Sequence, residues 1–155
     1  MEKDDSCLIC TRIISIQKGE NPYFVSELET GYVVLGDYQF FKGYTLFLCK
    51  DHRHELHELP SHFRKQHLFE MSQVAEAVHR AFHPVKLNYE LLGNTDRHIH
   101  WHIFPRYADD SLPTRTVWNI PKEIRQADSE KPSDEILCKF TKALKQCLDE
   151  IIHEC

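Results

Sequence analysis

The sequence has no apolar run approaching the length of a membrane-spanning helix, and its opening Met1-Glu2-Lys3-Asp4-Asp5 is too acidic and polar for a signal peptide. It has no basic excess. The formal charge of −5 argues against a general nucleic-acid binder, whose phosphate contacts favour a basic surface. Six cysteines in 155 residues are too few for a dense disulfide framework. Without a secretory signal they read as reduced thiols, some of them on metal. Internal repeats, low-complexity tracts and interdomain linkers are also missing. A chain of this length, 41% hydrophobic, fits one domain over residues 1–155 with a sizeable core, and the expectation is a cytoplasmic protein that binds neither nucleic acid nor membrane.

What is present is concentrated in one stretch, Arg97-His98-Ile99-His100-Trp101-His102-Ile103-Phe104. Successive side chains of a strand point to opposite faces, so three imidazoles line one face and Ile99, Trp101 and Ile103 the other. A helix would spread the histidines over a wide arc and fit the β-branched and aromatic residues poorly. A solvent-exposed edge strand has no reason to choose imidazole three times. Three imidazoles in a row suit either metal binding or nucleophilic attack by one ring that its neighbours orient. Gly93-Asn94-Thr95-Asp96-Arg97 before the triad and Pro105-Arg106-Tyr107 after it offer a permissive glycine, polar donors and two cations, a setting for phosphate.

The rest of the chain alternates helix and strand signals. Residues 7–18 read as a short helix ending at Gly19-Glu20-Asn21-Pro22. Residues 23–28 and 31–35 read as paired strands around Glu29-Thr30, and residues 44–49 as a third strand after a turn at Gly43. Ser61 is placed to cap a helix running to Phe82, where His83-Pro84 stops it. Leu68, Met71, Val74 or Ala75, Val78 and Phe82 form its apolar stripe, with Arg64, Lys65, Glu70, Gln73 and Arg80 outside that stripe. Residues 85–92 form a strand leading to the triad. After Tyr107 the chain is loop-like, with Val117-Trp118-Asn119-Ile120 as a short extended piece. Pro132-Ser133-Asp134-Glu135 opens a final helix whose stripe is Ile136, Leu137, Phe140, Leu144, Leu148 and Ile151. Cys138, Cys147 and Cys155 are too widely spaced for one metal site and read as inert thiols. The sum is an α+β fold: an antiparallel sheet of about five strands, a long helix before the triad hairpin, and a helix at each end.

The run His98-Ile99-His100-Trp101-His102-Ile103-Phe104 resembles the signature of the histidine-triad family of nucleotide hydrolases and transferases. Gly43-Tyr44-Thr45-Leu46 with Lys50-Asp51-His52 is similar to that family's second stretch, and Cys7-Leu8-Ile9-Cys10 to the N-terminal motif of its zinc-containing members. The resemblance implies that His100, the middle histidine, is a nucleophile on phosphorus, its other ring nitrogen held by a backbone carbonyl, and that His102 contacts phosphate oxygens or the leaving group. It implies Asp37 on the ribose, with Phe40 or Phe41 near the base, although Asp37 also reads as a turn cap and the aromatics as core. Asn94 stands where the family usually has glutamine, Thr95 where it has serine or threonine, and both become candidate phosphate ligands. Tyr44 stands where histidine is common. The substrate expected first is a dinucleoside polyphosphate of the diadenosine tetraphosphate type. An adenosine 5′-phosphoramidate hydrolase or a nucleotidyl transferase comes second, and a nucleotide- or metal-binding sensor is the non-enzymatic alternative. Cys7-x-x-Cys10 alone fits half a zinc site, a redox pair or two core thiols. The resemblance implies a structural zinc completed by His52 and His98, with His54 or Cys49 as substitutes, no cofactor for the chemistry itself, and a homodimer.

Overall fold

The computed structural model describes residues 7–154; the acidic opening, residues 1–5, and Cys155 lie outside that range. The elements run α1 (Leu8–Gln17), β1 (Phe24–Glu27), β2 (Gly31–Leu35), β3 (Thr45–Cys49), α2 (Ser61–Phe82), β4 (Lys86–Glu90), β5 (His100–Arg106), α3 (Lys122–Arg125) and α4 (Asp134–Glu154), with single 3-10 turns at Leu56–Glu58, Val117–Asn119 and Asp128–Glu130. All strand pairs are antiparallel, in the order β1-β2-β3-β5-β4. This is an α+β fold with a five-stranded antiparallel sheet and four helices. Among the described residues no helix is long and apolar enough to cross a membrane.

Every residue of β2 and β3 is buried because both faces of the sheet are covered. On one face α2 and α4 deliver Val74, Val78, Leu144 and Leu148 against Val33, Leu35, Phe47 and Ile103. On the other, α1 lays Ile9, Ile13 and Ile16 over Tyr32, Val34, Leu46 and Leu48. The register pairs Leu48 with His100 and Leu46 with His102. Period-two alternation therefore puts those two histidines on the α1 face, while Ile103 joins the helical core. His98 differs from expectation. It precedes β5, on the turn whose His98 amide donates to the Asp96 carbonyl (2.8 Å), and Ile99 instead joins a small cluster with Cys49 and Leu59.

Three other sequence expectations change. Ser61 is the first residue of α2 rather than its cap; Pro60 occupies that position. The 117–120 piece is a 3-10 turn, because Val117 and Ile120 both bury against Phe41 and Phe104, which an alternating strand cannot do. In α2, Leu68 is exposed, while His67, Glu70 and Gln73 are buried. The Glu70 carboxylate accepts from the Glu29 and Thr30 amides (3.0 Å each), from the Thr30 hydroxyl and from Gln66 Nε2 (3.1 Å). His67 stacks on Phe47, with Nδ1 3.0 Å from Thr30 Oγ1. A buried carboxylate held by backbone amides clamps the β1–β2 turn to α2. Glu70→Ala is expected to cost about 3 kcal/mol or more, since the turn amides lose a charged acceptor at a site 3% exposed. A denaturant midpoint unchanged from wild type would refute the clamp.

Candidate active site and metal centre

The two histidines on β5 are set in opposite tautomers by their neighbours. His100 Nδ1 lies 2.6 Å from the His98 carbonyl. A carbonyl only accepts, so Nδ1 carries the proton and Nε2 holds a lone pair. The Tyr44 hydroxyl lies 2.6 Å from His102 Nδ1 and has no other hydrogen-bond partner among the described residues. Donation of the phenol proton to Nδ1 satisfies both groups, and in that tautomer Nε2 of His102 carries hydrogen. Burial holds His102 neutral, with its pKa pushed down to about 3 and the neighbouring His100 adding to the effect. Burial also pushes the Tyr44 phenol above its ordinary value, keeping it a donor. The rings of His100 and His102 sit 4.8 Å apart. One presents a nucleophile and the next a donor.

Both face a cleft of about 220 Å³. Leu8, Ile9 and Arg12 of α1 form one wall, Asp37, Tyr38 and Phe40 the second, and Trp118, Arg125 and Gln126 the third. The 36–44 loop is pinned by Gln39, whose amide donates to the Gly36 and Tyr44 carbonyls (2.9 and 3.0 Å) and accepts from the Gly43 amide. Gly43 at φ +86° allows the turn into β3. Asp37 lies in the cleft but is not free: both its oxygens are engaged by the Arg12 guanidinium, and that hydrogen bond raises the Arg12 pKa against the cost of burial.

The other expected substrate residues are placed differently. Gly93 takes φ +66°, and the loop then carries Asp96, not Asn94 or Thr95, into the cleft. Asn94 and Arg97 line a separate polar cleft with His54, Glu55 and Glu58. Arg106, expected as a cation near phosphate, is buried elsewhere; it donates to Asp110, Asn88 and the carbonyls of Leu112 and Arg115, and so fastens the 107–115 loop. The third wall is missing from the sequence reading altogether. An unbroken run of loop-forming residues after Tyr107 gives no period from which to place Trp118 and Arg125.

Beside the cleft, Cys7, Cys10, His52 and His98 bring one ligand atom each within 4.8 Å of one another, a group fit to hold a metal ion. The separations test the fit. A tetrahedral zinc with ordinary Zn–S and Zn–N bonds sets sulfur and nitrogen about 3.6 Å apart. Here Cys7 Sγ and Cys10 Sγ each lie 3.6 Å from His98 Nδ1, and Cys10 Sγ lies 3.2 Å from His52 Nδ1. His98 Nε2 donates to the Cys49 carbonyl at 2.8 Å, which directs the Nδ1 lone pair at the sulfurs. Burial pushes the His98 pKa down to about 4, so the ring is neutral, as a ligand must be. Cys7 caps α1, its sulfur accepting from the Cys10 amide. Neither cysteine is tied up in a disulfide among the described residues. Neither substitute ligand enters the group: His54 is exposed, and burial pushes the Cys49 thiol up to about 12, keeping it protonated.

Residues 19–109, more than half of the chain, match the HIT domain family. The chain is 31% identical over 136 residues to Protein hit of Bacillus subtilis, covering 84% of this chain and 87% of that one. The chain belongs to the HIT domain family, whose members are typically nucleotide hydrolases or transferases. Solved structures agree on the fold. A zinc-bound histidine triad family protein from Mycobacterium smegmatis superposes with TM-score 0.67 at 22% identity, over 97% of this chain and 98% of its own. A histidine triad protein from Marinobacter aquaeolei gives 0.71 at 22% identity, over 83% and 89%.

Proposed function

We propose that this protein hydrolyses dinucleoside polyphosphates of the diadenosine tetraphosphate type through a covalent nucleotidyl-histidine intermediate on His100. The observation that carries the reading is the pair of fixed tautomers, a bare Nε2 on His100 beside a protonated Nε2 on His102, both lining one cleft. In the first step the His100 Nε2 lone pair forms a bond to the α-phosphorus. The P–O bond to the leaving phosphate breaks, and its electron pair stays on the departing oxygen. His102 Nε2–H donates a hydrogen bond to that oxygen or to the phosphoryl oxygens. The His98 carbonyl stabilises the positive charge that the phosphorylated His100 ring acquires, through Nδ1–H. Water then attacks phosphorus, the P–N bond breaks, and its pair returns to Nε2 as AMP leaves and the water proton passes to solvent. The nucleoside enters between Asp37 and the aromatic residues Tyr38 and Phe40, the Asp37 carboxylate keeping lone pairs for ribose hydroxyls beyond those used by Arg12.

We further propose that the ion held by Cys7, Cys10, His52 and His98 is zinc, which the two-thiol, two-imidazole donor set favours. Bound there, it supplies a structural tie between α1 and the turn carrying His98. The experiment for the reaction is AMP release from diadenosine tetraphosphate with no added divalent ion, in EDTA at a level that leaves bound zinc in place. Release is expected. Binding of the nucleotide with no AMP produced would reduce the protein to a sensor.

A further inference from the structure

We infer that Arg125 is the specificity-determining cation that receives the phosphates of the leaving group, selecting an anionic polyphosphate over a neutral amine. The inference rests on the hydrolase reading above and narrows its substrate class. Two cations line the cleft, Arg12 and Arg125. Arg12 is neutralised by its two-pronged pairing with Asp37. Arg125 forms no ion pair with any carboxylate among the described residues, and Asp96, the other acid lining the cleft, makes none with it.

Arg125 is nonetheless fixed. Its Nε donates to the Ile120 carbonyl at 2.8 Å, and its guanidinium carbon lies 4.8 Å from the centre of the Trp118 ring. The indole is held in turn: its N–H donates to the Glu90 carboxylate on β4, and its ring stands edge-on to His102 at 6.1 Å. Val117 and Ile120, on either side, are anchored by burial against Phe41 and Phe104. One indole ring therefore bridges the His102 imidazole and a guanidinium whose terminal N–H groups have no acceptor among the described residues. A planar fork of donors at fixed orientation is the group that matches phosphate oxygens in pairs.

Charge on the leaving group sets the specificity. When the anhydride breaks, negative charge gathers on a leaving group that is already a polyanion, and a cation preset beside it lowers that barrier. An amine leaving from a phosphoramidate is neutral or positive, so the same cation contributes nothing to its departure. The α-phosphate is common to both substrates, which allows the two roles to be separated.

The test compares kcat/KM for wild type, Arg125→Gln and Arg125→Lys on diadenosine tetraphosphate and on adenosine 5′-phosphoramidate. Arg125→Gln is expected to lower kcat/KM on the tetraphosphate by a factor on the order of 10–100, with little change on the phosphoramidate and partial recovery in Arg125→Lys. Equal losses on the two substrates would overturn the inference, placing Arg125 on the α-phosphate or on the packing of Trp118; so would no loss on either. ATP binding, read by tryptophan fluorescence, supplies an arm independent of turnover. Arg125→Gln should weaken ATP tenfold or more and leave adenosine unchanged, and an unchanged ATP affinity overturns the assignment. Wild-type protein that releases AMP from neither substrate would defeat the hydrolase reading, while the ATP comparison would still decide the role of Arg125.

Discussion

Replacing His100 with alanine is expected to lower AMP release by several powers of ten while the protein remains folded. The loss is large because no other group lining the cleft among the described residues presents an imidazole nitrogen lone pair: the tautomer assigned to His102 points a proton there instead. Removing a nucleophile also removes the two-step route. The structural cost is small by comparison. Alanine leaves the His98 carbonyl without one hydrogen bond, which costs about 1–2 kcal/mol and leaves the helical core on the opposite sheet face untouched. The measurements are the single-turnover rate and the melting temperature. Normal turnover by a folded His100→Ala protein would refute the assignment. A collapse in melting temperature equal to that of a core deletion would show that His100 is structural.

Substituting Cys7 by serine is expected to strip the metal and destabilise the chain by several kcal/mol. The choice of serine isolates the metal. Cys7 is the N-cap of α1, and serine is among the best N-cap residues, so the helix start is preserved while the sulfur ligand is lost. Zinc sites of this kind contribute binding free energy directly to folding. The proposed tie runs between α1, which supplies Leu8, Ile9 and Arg12 to the cleft, and His98, whose carbonyl accepts from His100 Nδ1. Loss of the proposed metal is therefore expected to reach the cleft through the α1 wall and through the His98 carbonyl that holds His100. Elemental analysis of protein purified without added metal should find about one zinc per wild-type chain and far less in the variant, with a lower melting temperature. Free, reactive Cys7 and Cys10 together with undiminished stability would show that the cysteines are core thiols and no site exists.

The parts of this molecule that were readable in advance are those where a local period and the tertiary environment agree. Alternation along 100–104 gives the strand and its chemical face, since a buried sheet with both sides covered tolerates no slip, while His98 falls on the turn before it. The long stripe of α2 gives the helix and its stop at His83, which takes a left-handed φ of 52°. The same stripe misassigns Glu70 and is silent on His67, because amphipathic patterning sends polar residues to solvent. Here they meet the β1–β2 turn, about forty residues away in sequence. His52 is one of three histidines between 52 and 57, and spacing alone does not select it; the resemblance to zinc-containing relatives does. Asp37 is readable as a cleft residue, but its pairing with Arg12 depends on how α1 crosses the sheet. Trp118 and Arg125 leave no local signal. Their position follows from the burial of Val117 and Ile120 beneath Phe104, a contact that only the folded chain defines.

Transfer of the adenylyl group to His100 is the step on which the proposed reaction depends. Protein mixed with diadenosine tetraphosphate, quenched within a turnover without acid and digested for mass spectrometry, should carry one adenylyl group on the peptide containing His100, lost in His100→Ala and decaying as AMP appears. AMP released at the wild-type rate with no adduct at any time sampled, or with the adduct on His98 or His102 instead, would contradict it.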